Sequence, residues 1–128
     1  MLRILIADDH EFIRKGIKQI LFDEFDQLYV KEAEDTDGLL DLAFAEEWDI
    51  IISDISMPGK GGLEALQVIK DKSPAVPVLL LSIYPEDQYA DNVLSAGASG
   101  YLNKDSAPAE LASAIKTILS GQKYIKQK

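Results

Sequence analysis

Short apolar runs alternate with amphipathic stretches along the whole chain. Three of the runs, at residues 3–7, 50–52 and 78–81, show no polar alternation, which is typical of strands in a parallel sheet that is covered on both faces. A more mixed run at residues 28–33 and a short one at residues 100–103 are predicted as the two edge strands. The pattern therefore predicts five strands.

Five amphipathic stretches follow these runs, each with apolar side chains at helical spacing. Their apolar positions are Phe12, Ile13, Gly16, Ile17, Ile20 and Leu21; Leu39, Leu40, Ala43 and Phe44; Leu63, Leu66 and Ile69; Ala90, Val93, Leu94 and Gly97; and Leu111, Ala112, Ile115, Ile118 and Leu119. Asp35-Thr36 is a start signal for the second helix. Five βα units in succession predict an α/β fold, an open doubly wound parallel sheet with helices on both faces, since a barrel needs eight strands.

Composition agrees with one globular domain. The 128 residues are 47% hydrophobic and 27% charged, and no apolar run approaches the roughly 20 residues of a membrane-spanning helix. The absence of cysteine excludes disulfide, Cys–zinc and iron–sulfur sites, and no secretory signal is visible, so a cytoplasmic location is expected. The net charge of −9 makes the domain by itself a poor binder of nucleic acid.

Polar side chains follow four of the predicted strands. Asp8 and Asp9 come after the first strand, Asp54 after the third, Ser82 after the fourth and Lys104 after the fifth. In a parallel sheet these ends form one rim, where ligands bind. Three carboxylates there would repel one another unless they were solvated, protonated or neutralised by a cation such as Mg²⁺. With a lysine and a hydroxyl beside them, they indicate phosphoryl transfer onto an aspartate.

Five motifs occur in order at these strand ends. They are ILIADDH at residues 4–10, ISDISMPG at residues 52–59, GGLE at residues 61–64, LS at residues 81–82 and AGASGYLNK at residues 96–104. The set resembles the two-component response-regulator receiver domains over essentially the whole chain. The Asp-Asp-His start and residues 97–105 are similar to the NarL/LuxR (FixJ-type) branch. The resemblance implies a flavodoxin-like sheet with strand order 2-1-3-4-5 and five helices.

The resemblance also implies how the acidic residues act. Asp54 would accept a phosphoryl group from the phosphohistidine of a histidine kinase. Asp9 would bind Mg²⁺ directly and Asp8 mainly through water. Asp54 and the backbone carbonyl of Ser56 would be the other protein ligands. His10, the only histidine, follows the acidic pair and is assigned no chemistry.

Three further residues would respond to the phosphoryl group. By the same resemblance, Lys104 would pair with its oxygens, Ser82 would move to hydrogen-bond to it, and Tyr101 would change rotamer to follow. The product would be a two-state switch rather than a metabolic enzyme, limited to self-catalysed phosphoryl transfer and autodephosphorylation. The weak apolar stripe of the fourth predicted helix suits an element that shifts with the switch.

Ordinary structural interpretations and other functions compete with this one. Asp8 and Asp9 alone could cap the next helix, and plain packing accounts for Tyr101 about as well as a switch role does. A phosphatase of the haloacid dehalogenase type would need Asp-x-Asp after the first strand. A flavodoxin-type flavin site would need a loop rich in Ser, Thr and Gly there. The complete acidic trio and Lys104 disfavour a degenerate receiver that only binds partners.

Residues 1–121 are predicted as the receiver domain, and residues 122–128 as the start of a linker. In the resembled branch a helix-turn-helix DNA-binding domain follows the linker. The chain is therefore expected to belong to a longer transcription regulator, with a natural single-domain receiver as the alternative. The expected partners are a sensor histidine kinase and, on phosphorylation, a second copy of the chain. Neither a membrane nor, for this domain itself, a nucleic acid is expected to be a partner.

Overall fold

One parallel sheet runs through the computed structural model of the chain, which describes residues 1–56, 59, 62–83 and 93–125. In these residues the strands are β1 (Leu2–Ala7), β2 (Leu28–Ala33), β3 (Ile50–Asp54), β4 (Val78–Ser82), β5 (Gly100–Asn103) and β6 (Tyr124–Ile125). Their order across the sheet is β2-β1-β3-β4-β5-β6. The predicted order of the first five is confirmed. The chain therefore winds outwards in both directions from β1 and β3, which lie side by side.

Four α-helices and a short 3-10 turn are described with the strands. The helices are α1 (Glu11–Glu24), α2 (Thr36–Ala45), α3 (Gly62–Lys72) and α4 (Ala107–Leu119), and the turn is Lys104–Ser106. The fourth predicted helix, with its stripe from Ala90 to Gly97, lies largely outside the described residues, of which 93–95 are helical. No helix in the described ranges has the length and apolar content needed to cross a bilayer.

The two-residue strand β6 extends the sheet beyond the strand that the sequence predicted as an edge. The backbone nitrogen of Tyr124 donates to the carbonyl of Ser99 at 2.9 Å, and Tyr124 pairs with Gly100. A Cβ at Gly100 would lie 3.0 Å from the carbonyl oxygen of Tyr124, so a glycine permits this close approach. β5 is therefore an inner strand, which corrects the edge prediction. β6 falls in the segment predicted to begin the linker, and the boundary at residue 121 stays a prediction.

Apolar side chains bury both faces of the sheet because successive residues of a strand point to opposite sides. On one face, Ile4 and Ile6 pack with the buried residues of α1 and α4, and on the other Leu5 packs with those of α2 and α3. Four predicted core positions are wrong, since Phe12 is 85% exposed, Phe44 and Leu119 are each 39% exposed, and Gly16 is exposed as well. The buried positions of α1 are Ile17 and Leu21, further along the helix, and those of α2 are Thr36, Leu39 and Ala43.

Candidate functional site

Three of the predicted site residues meet at the carboxyl ends of β1, β3 and β5. Asp8 directly follows β1, Asp54 is the last residue of β3, and Lys104 begins the 3-10 turn after β5. The Nζ atom of Lys104 lies 2.8 Å from Oδ2 of Asp8 and 3.1 Å from Oδ2 of Asp54. One ammonium group therefore bridges two carboxylates that are 46 positions apart in the sequence (54 − 8).

Burial sets the electrostatics of this trio. Asp8 is fully buried, Asp54 is 4% exposed and the Lys104 side chain is 9% exposed. Burial raises the pKa of the Asp54 carboxyl above its usual range, although the backbone N–H of Ser56 and the Lys104 ammonium act in the opposite direction. Burial alone would lower the pKa of Lys104, but hydrogen bonds and charges from both carboxylates raise it. The lysine is therefore fully charged, and the buried acids outnumber it.

Asp9 and His10 add further ligand atoms at the same place. His10 Nδ1 lies 3.0 Å from Oδ1 of Asp8 and 3.1 Å from Oδ1 of Asp9, whose side chain is 32% exposed. One ligand atom from each of Asp8, Asp9, His10 and Asp54 lies within 4.8 Å of the others. A donor set dominated by carboxylate oxygens fits a hard divalent cation.

His10 is the residue of this cluster to which the sequence assigned no chemistry. Its position directly after the acidic pair is the one signal that could have pointed to it. The backbone nitrogen of His10 also donates to Oδ1 of Asp8 at 2.9 Å, which closes a tight turn after β1. This turn carries both carboxylates of the pair into the site.

Ser56 lies beside Asp54, as the motif predicts. Its backbone nitrogen donates to Oδ1 of Asp54 at 3.1 Å, while Oδ2 of the same carboxylate faces Lys104. The two oxygens of Asp54 are therefore in different surroundings, one held by a backbone N–H and the other by an ammonium group. The role of the Ser56 carbonyl as a metal ligand stays a prediction.

The two predicted switch residues lie on β4 and β5 next to this cluster. Ser82 ends β4 and is fully buried, one position beyond Leu81, which is the register partner of Asp54. Tyr101 of β5 is 1% exposed and belongs to the core cluster on the face of the sheet that α2 and α3 cover. Its side chain is therefore buried in this structure, and its movement stays a prediction.

Comparison with known proteins places the chain among signalling domains. A family model described as the response regulator receiver domain matches residues 4–116. The chain is 40% identical over 125 residues to the response regulator UvrY of Escherichia coli O6:H1, and the match covers 98% of this chain. It covers 57% of UvrY, so the chain spans little more than half the length of that relative.

Two solved structures share the fold along nearly the whole chain. One is a two-component response regulator of the LuxR family from Aurantimonas sp. SI85-9A1, with 34% identity, a TM-score of 0.88 and coverage of 97% of this chain and 88% of that one. The other is the isolated REC domain of RcsB from Salmonella enterica serovar Typhimurium with the phosphomimetic BeF3−. It has 26% identity, a TM-score of 0.89 and coverage of 98% and 94%.

Proposed function

Since the chain belongs to the response regulator receiver family, in its NarL/LuxR branch, we propose that it accepts a phosphoryl group on Asp54 and thereby controls an output. The observation that carries the proposal is the pair of buried carboxylates, Asp8 and Asp54, which share the single ammonium group of Lys104. A site that served only stability would have as many positive groups as buried carboxylates. A site that receives a cation and a phosphoryl group keeps the acids in excess.

The cation proposed for this site is Mg²⁺, held by Asp8, Asp9, Asp54 and the backbone carbonyl of Ser56. The clustering of carboxylate ligand atoms within 4.8 Å supports this set. When bound, the ion would neutralise the acids and the negative oxygens of an incoming phosphoryl group. His10 also has a nitrogen atom in this cluster, but Mg²⁺ prefers oxygen ligands, so the proposed site does not require it.

In the proposed reaction, a carboxylate oxygen of Asp54 attacks the phosphorus of a kinase phosphohistidine. An O–P bond forms, the N–P bond breaks, and the histidine nitrogen leaves with the bonding electron pair. Lys104 Nζ lies 3.1 Å from Oδ2 of Asp54. Its fixed positive charge would stabilise the negative oxygens of a phosphoryl group transferred to Asp54. The backbone N–H of Ser56 orients the carboxylate through its Oδ1 atom. Water later hydrolyses the acyl phosphate and resets the domain.

The proposed switch follows from the new charge. A phosphoryl group adds acceptor oxygens beside two donors, the Ser82 hydroxyl and the Lys104 ammonium, and would draw both towards it. Tyr101, on the strand next to Ser82, would change rotamer with this movement. Phosphorylation can favour a second conformation only if the phosphoryl group makes different contacts with Ser82 and Lys104 in the two conformations.

The output is proposed to be transcription, exerted through a helix-turn-helix domain that would follow residue 128 in a longer protein. Support comes from the branch and from the share of UvrY that the chain spans, which is 57%. A cytoplasmic sensor histidine kinase domain would be the phosphoryl donor, and phosphorylation would favour a homodimer.

The direct test is the intact mass of the 128-residue chain after incubation with acetyl phosphate and Mg²⁺. We expect the mass of one phosphoryl group to be gained by the wild type and lost in Asp54→Asn. Asp26→Asn is the matched control, because it removes an exposed loop carboxylate and should leave the gain intact. If the wild type gains no mass with or without Mg²⁺, the chain is a degenerate receiver and the proposal fails.

A further inference from the structure

A guanidinium group from α1 holds the turn that carries the two acidic residues after β1. Nη1 of Arg14 donates to the backbone carbonyl of Asp8 at 2.6 Å. Arg14 lies near the start of α1, where side chains lean towards the helix N-terminus, so its guanidinium reaches back to the turn. Although arginine is usually exposed, this side chain is only 12% exposed.

The same guanidinium is anchored on a second strand. Nε of Arg14 donates to Oε1 of Glu32 in β2 at 3.0 Å, and Nζ of Lys18 lies 2.8 Å from the other oxygen of Glu32. The hydrogen bond from Lys18 is the main reason that the pKa of Glu32 is lowered, and Arg14 adds to it. Glu32 is therefore a charged anchor, and Arg14 ties β2 to the end of β1.

With this contact, each polar group of Asp8 has a partner that restrains the turn. Its backbone nitrogen donates to the carbonyl of Ala33 at 3.0 Å, its Oδ1 atom accepts from His10, and its carbonyl accepts from Arg14. The Arg14 contact comes from a side chain of α1, whereas the others come from the backbone of Ala33 and from the backbone nitrogen and Nδ1 of His10. A substitution at position 14 therefore removes this restraint, together with the bond to Glu32, and leaves the contacts of Asp8 with Ala33 and His10 in place.

We propose that Arg14 is a positioning residue for the cation site: it fixes the carbonyl of Asp8 and so presents the carboxylates of Asp8 and Asp9 in the arrangement that a divalent cation needs. This inference rests on the proposed function, since it presupposes that the site binds Mg²⁺. Residues that orient metal ligands commonly contribute a large part of metal affinity.

The positive charge of Arg14, taken alone, predicts the opposite effect on Mg²⁺ affinity. A guanidinium group near a cation site repels the cation, so the loss of its charge should leave Mg²⁺ affinity unchanged or increase it. Positioning predicts that the same loss weakens binding. Lysine cannot replace arginine in this role, because two donors in one rigid plane bond to the Asp8 carbonyl and to Glu32 at once. The sign of the change therefore separates the two interpretations.

The experiment is titration calorimetry of the chain with MgCl₂, together with thermal unfolding in EDTA. We expect Arg14→Gln to weaken Mg²⁺ binding about tenfold, and Arg14→Lys to weaken it as well although the charge is kept. Lys15→Gln is the control, since it removes the same charge from the exposed face of the same helix, where Lys15 pairs with the exposed Glu11. It should bind Mg²⁺ as the wild type does.

Two results would overturn the inference: an Arg14→Gln variant that binds Mg²⁺ as tightly as the wild type or more tightly, and an Arg14→Lys variant with wild-type affinity. If Arg14→Gln does not fold in EDTA, Arg14→Lys decides the question. Failure of the proposed function looks different, because the wild type itself would then bind no Mg²⁺ and gain no phosphoryl group.

Discussion

The two ends of the sheet both gather acidic and basic side chains, but they balance them differently. At the carboxyl ends of the strands, Lys104 is the one ammonium group among the described residues that lies between the buried carboxylates of Asp8 and Asp54, and Asp9 adds a third acid beside them. Burial dominates there and raises the pKa of Asp54. Negative charge is concentrated where water is scarce.

At the opposite end of the sheet, called the matched end below, the Glu46 carboxylate has two cationic partners and is partly exposed. Arg3 of β1 donates to the Glu46 carboxylate and to the carbonyl of Glu47, each at 2.7 Å, and its guanidinium lies 4.3 Å from the ring centroid of Tyr29. Glu46 also accepts one hydrogen bond from the Tyr29 hydroxyl and forms an ion pair with Lys31. The hydrogen bond from Lys31 is the main cause of its lowered pKa.

The difference shows how a functional cluster can be told from a structural one. Excess buried charge of one sign costs stability and persists where a ligand of opposite charge is to be bound, whereas matched charge contributes modestly to stability. Cavity size does not make this distinction here. A cavity of about 430 Å³ lies at the matched end, beside Arg3 and Trp48, and none of the predicted site residues lines it.

Removing the ammonium group of Lys104, at the carboxyl ends of the strands, should have the largest effect on stability. Lys104→Gln leaves two buried carboxylates without their shared partner, and we expect a loss of about 3 kcal/mol in the free energy of unfolding. Urea unfolding at pH 7 in EDTA measures it. Lys31→Gln at the matched end is the control, because that lysine is half exposed and solvent screens its ion pair with Glu46, so the loss should be much smaller. Equal losses in the two variants would remove the distinction between the ends.

The arginine of the matched end should matter for stability but not for phosphorylation. Arg3→Gln loses a partly exposed ion pair and the contact with the Tyr29 ring, which together predict a loss of about 1 kcal/mol. Chemical denaturation gives this value, and the intact-mass assay gives phosphoryl uptake. A variant that unfolds like the wild type, or one that no longer gains the phosphoryl group, would contradict the structural role assigned to this end.

The contributions of the two ends to folding stability should also change with pH in opposite directions. The pKa of Asp54 is raised in the folded state, so its contribution to stability falls as the pH rises through the interval between its unfolded and folded pKa values. The pKa of Glu46 is lowered, so its contribution is present above its unfolded pKa and is lost as the pH falls through its folded pKa.

In EDTA, Asp54→Asn should therefore be more stable than the wild type at pH 7, with an advantage that shrinks in acid. Glu46→Gln should be slightly less stable at pH 7, with a deficit that shrinks in acid. Unfolding free energies of both variants and the wild type at pH 7 and in mild acid provide the comparison. If both variants change stability in the same direction at pH 7, the assignment of opposite signs is wrong.

Much of the scaffold could be predicted from the sequence because its signals are local. Unbroken apolar runs such as residues 50–52 indicate buried strands, and the start signal at Asp35 is confirmed, since its side chain accepts from the backbone nitrogen of Gly38 at 2.7 Å. The expectation that Asp8, Asp54 and Lys104 share one rim followed from their positions at the carboxyl ends of parallel strands, and the contacts of Lys104 agree with it.

The remaining features depend on distances that no local pattern encodes. β6 has only two residues, in a lysine-rich segment that resembles a linker, and it forms because Gly100 lets Tyr124 approach. The bridge from Arg14 to Asp8 and Glu32 joins a helix, a turn and a neighbouring strand. Spacing in the sequence carries no sign of such a contact.

The central claim is that the three carboxylates of the rim have different roles, with Asp54 as the acceptor and Asp8 and Asp9 as cation ligands. Borohydride reduces an aspartyl phosphate to homoserine, so peptide mass spectrometry of the reduced, phosphorylated chain identifies the modified position. We predict homoserine at position 54 and unmodified aspartate at positions 8 and 9. Homoserine at either of those two positions, with position 54 unmodified, would contradict the account.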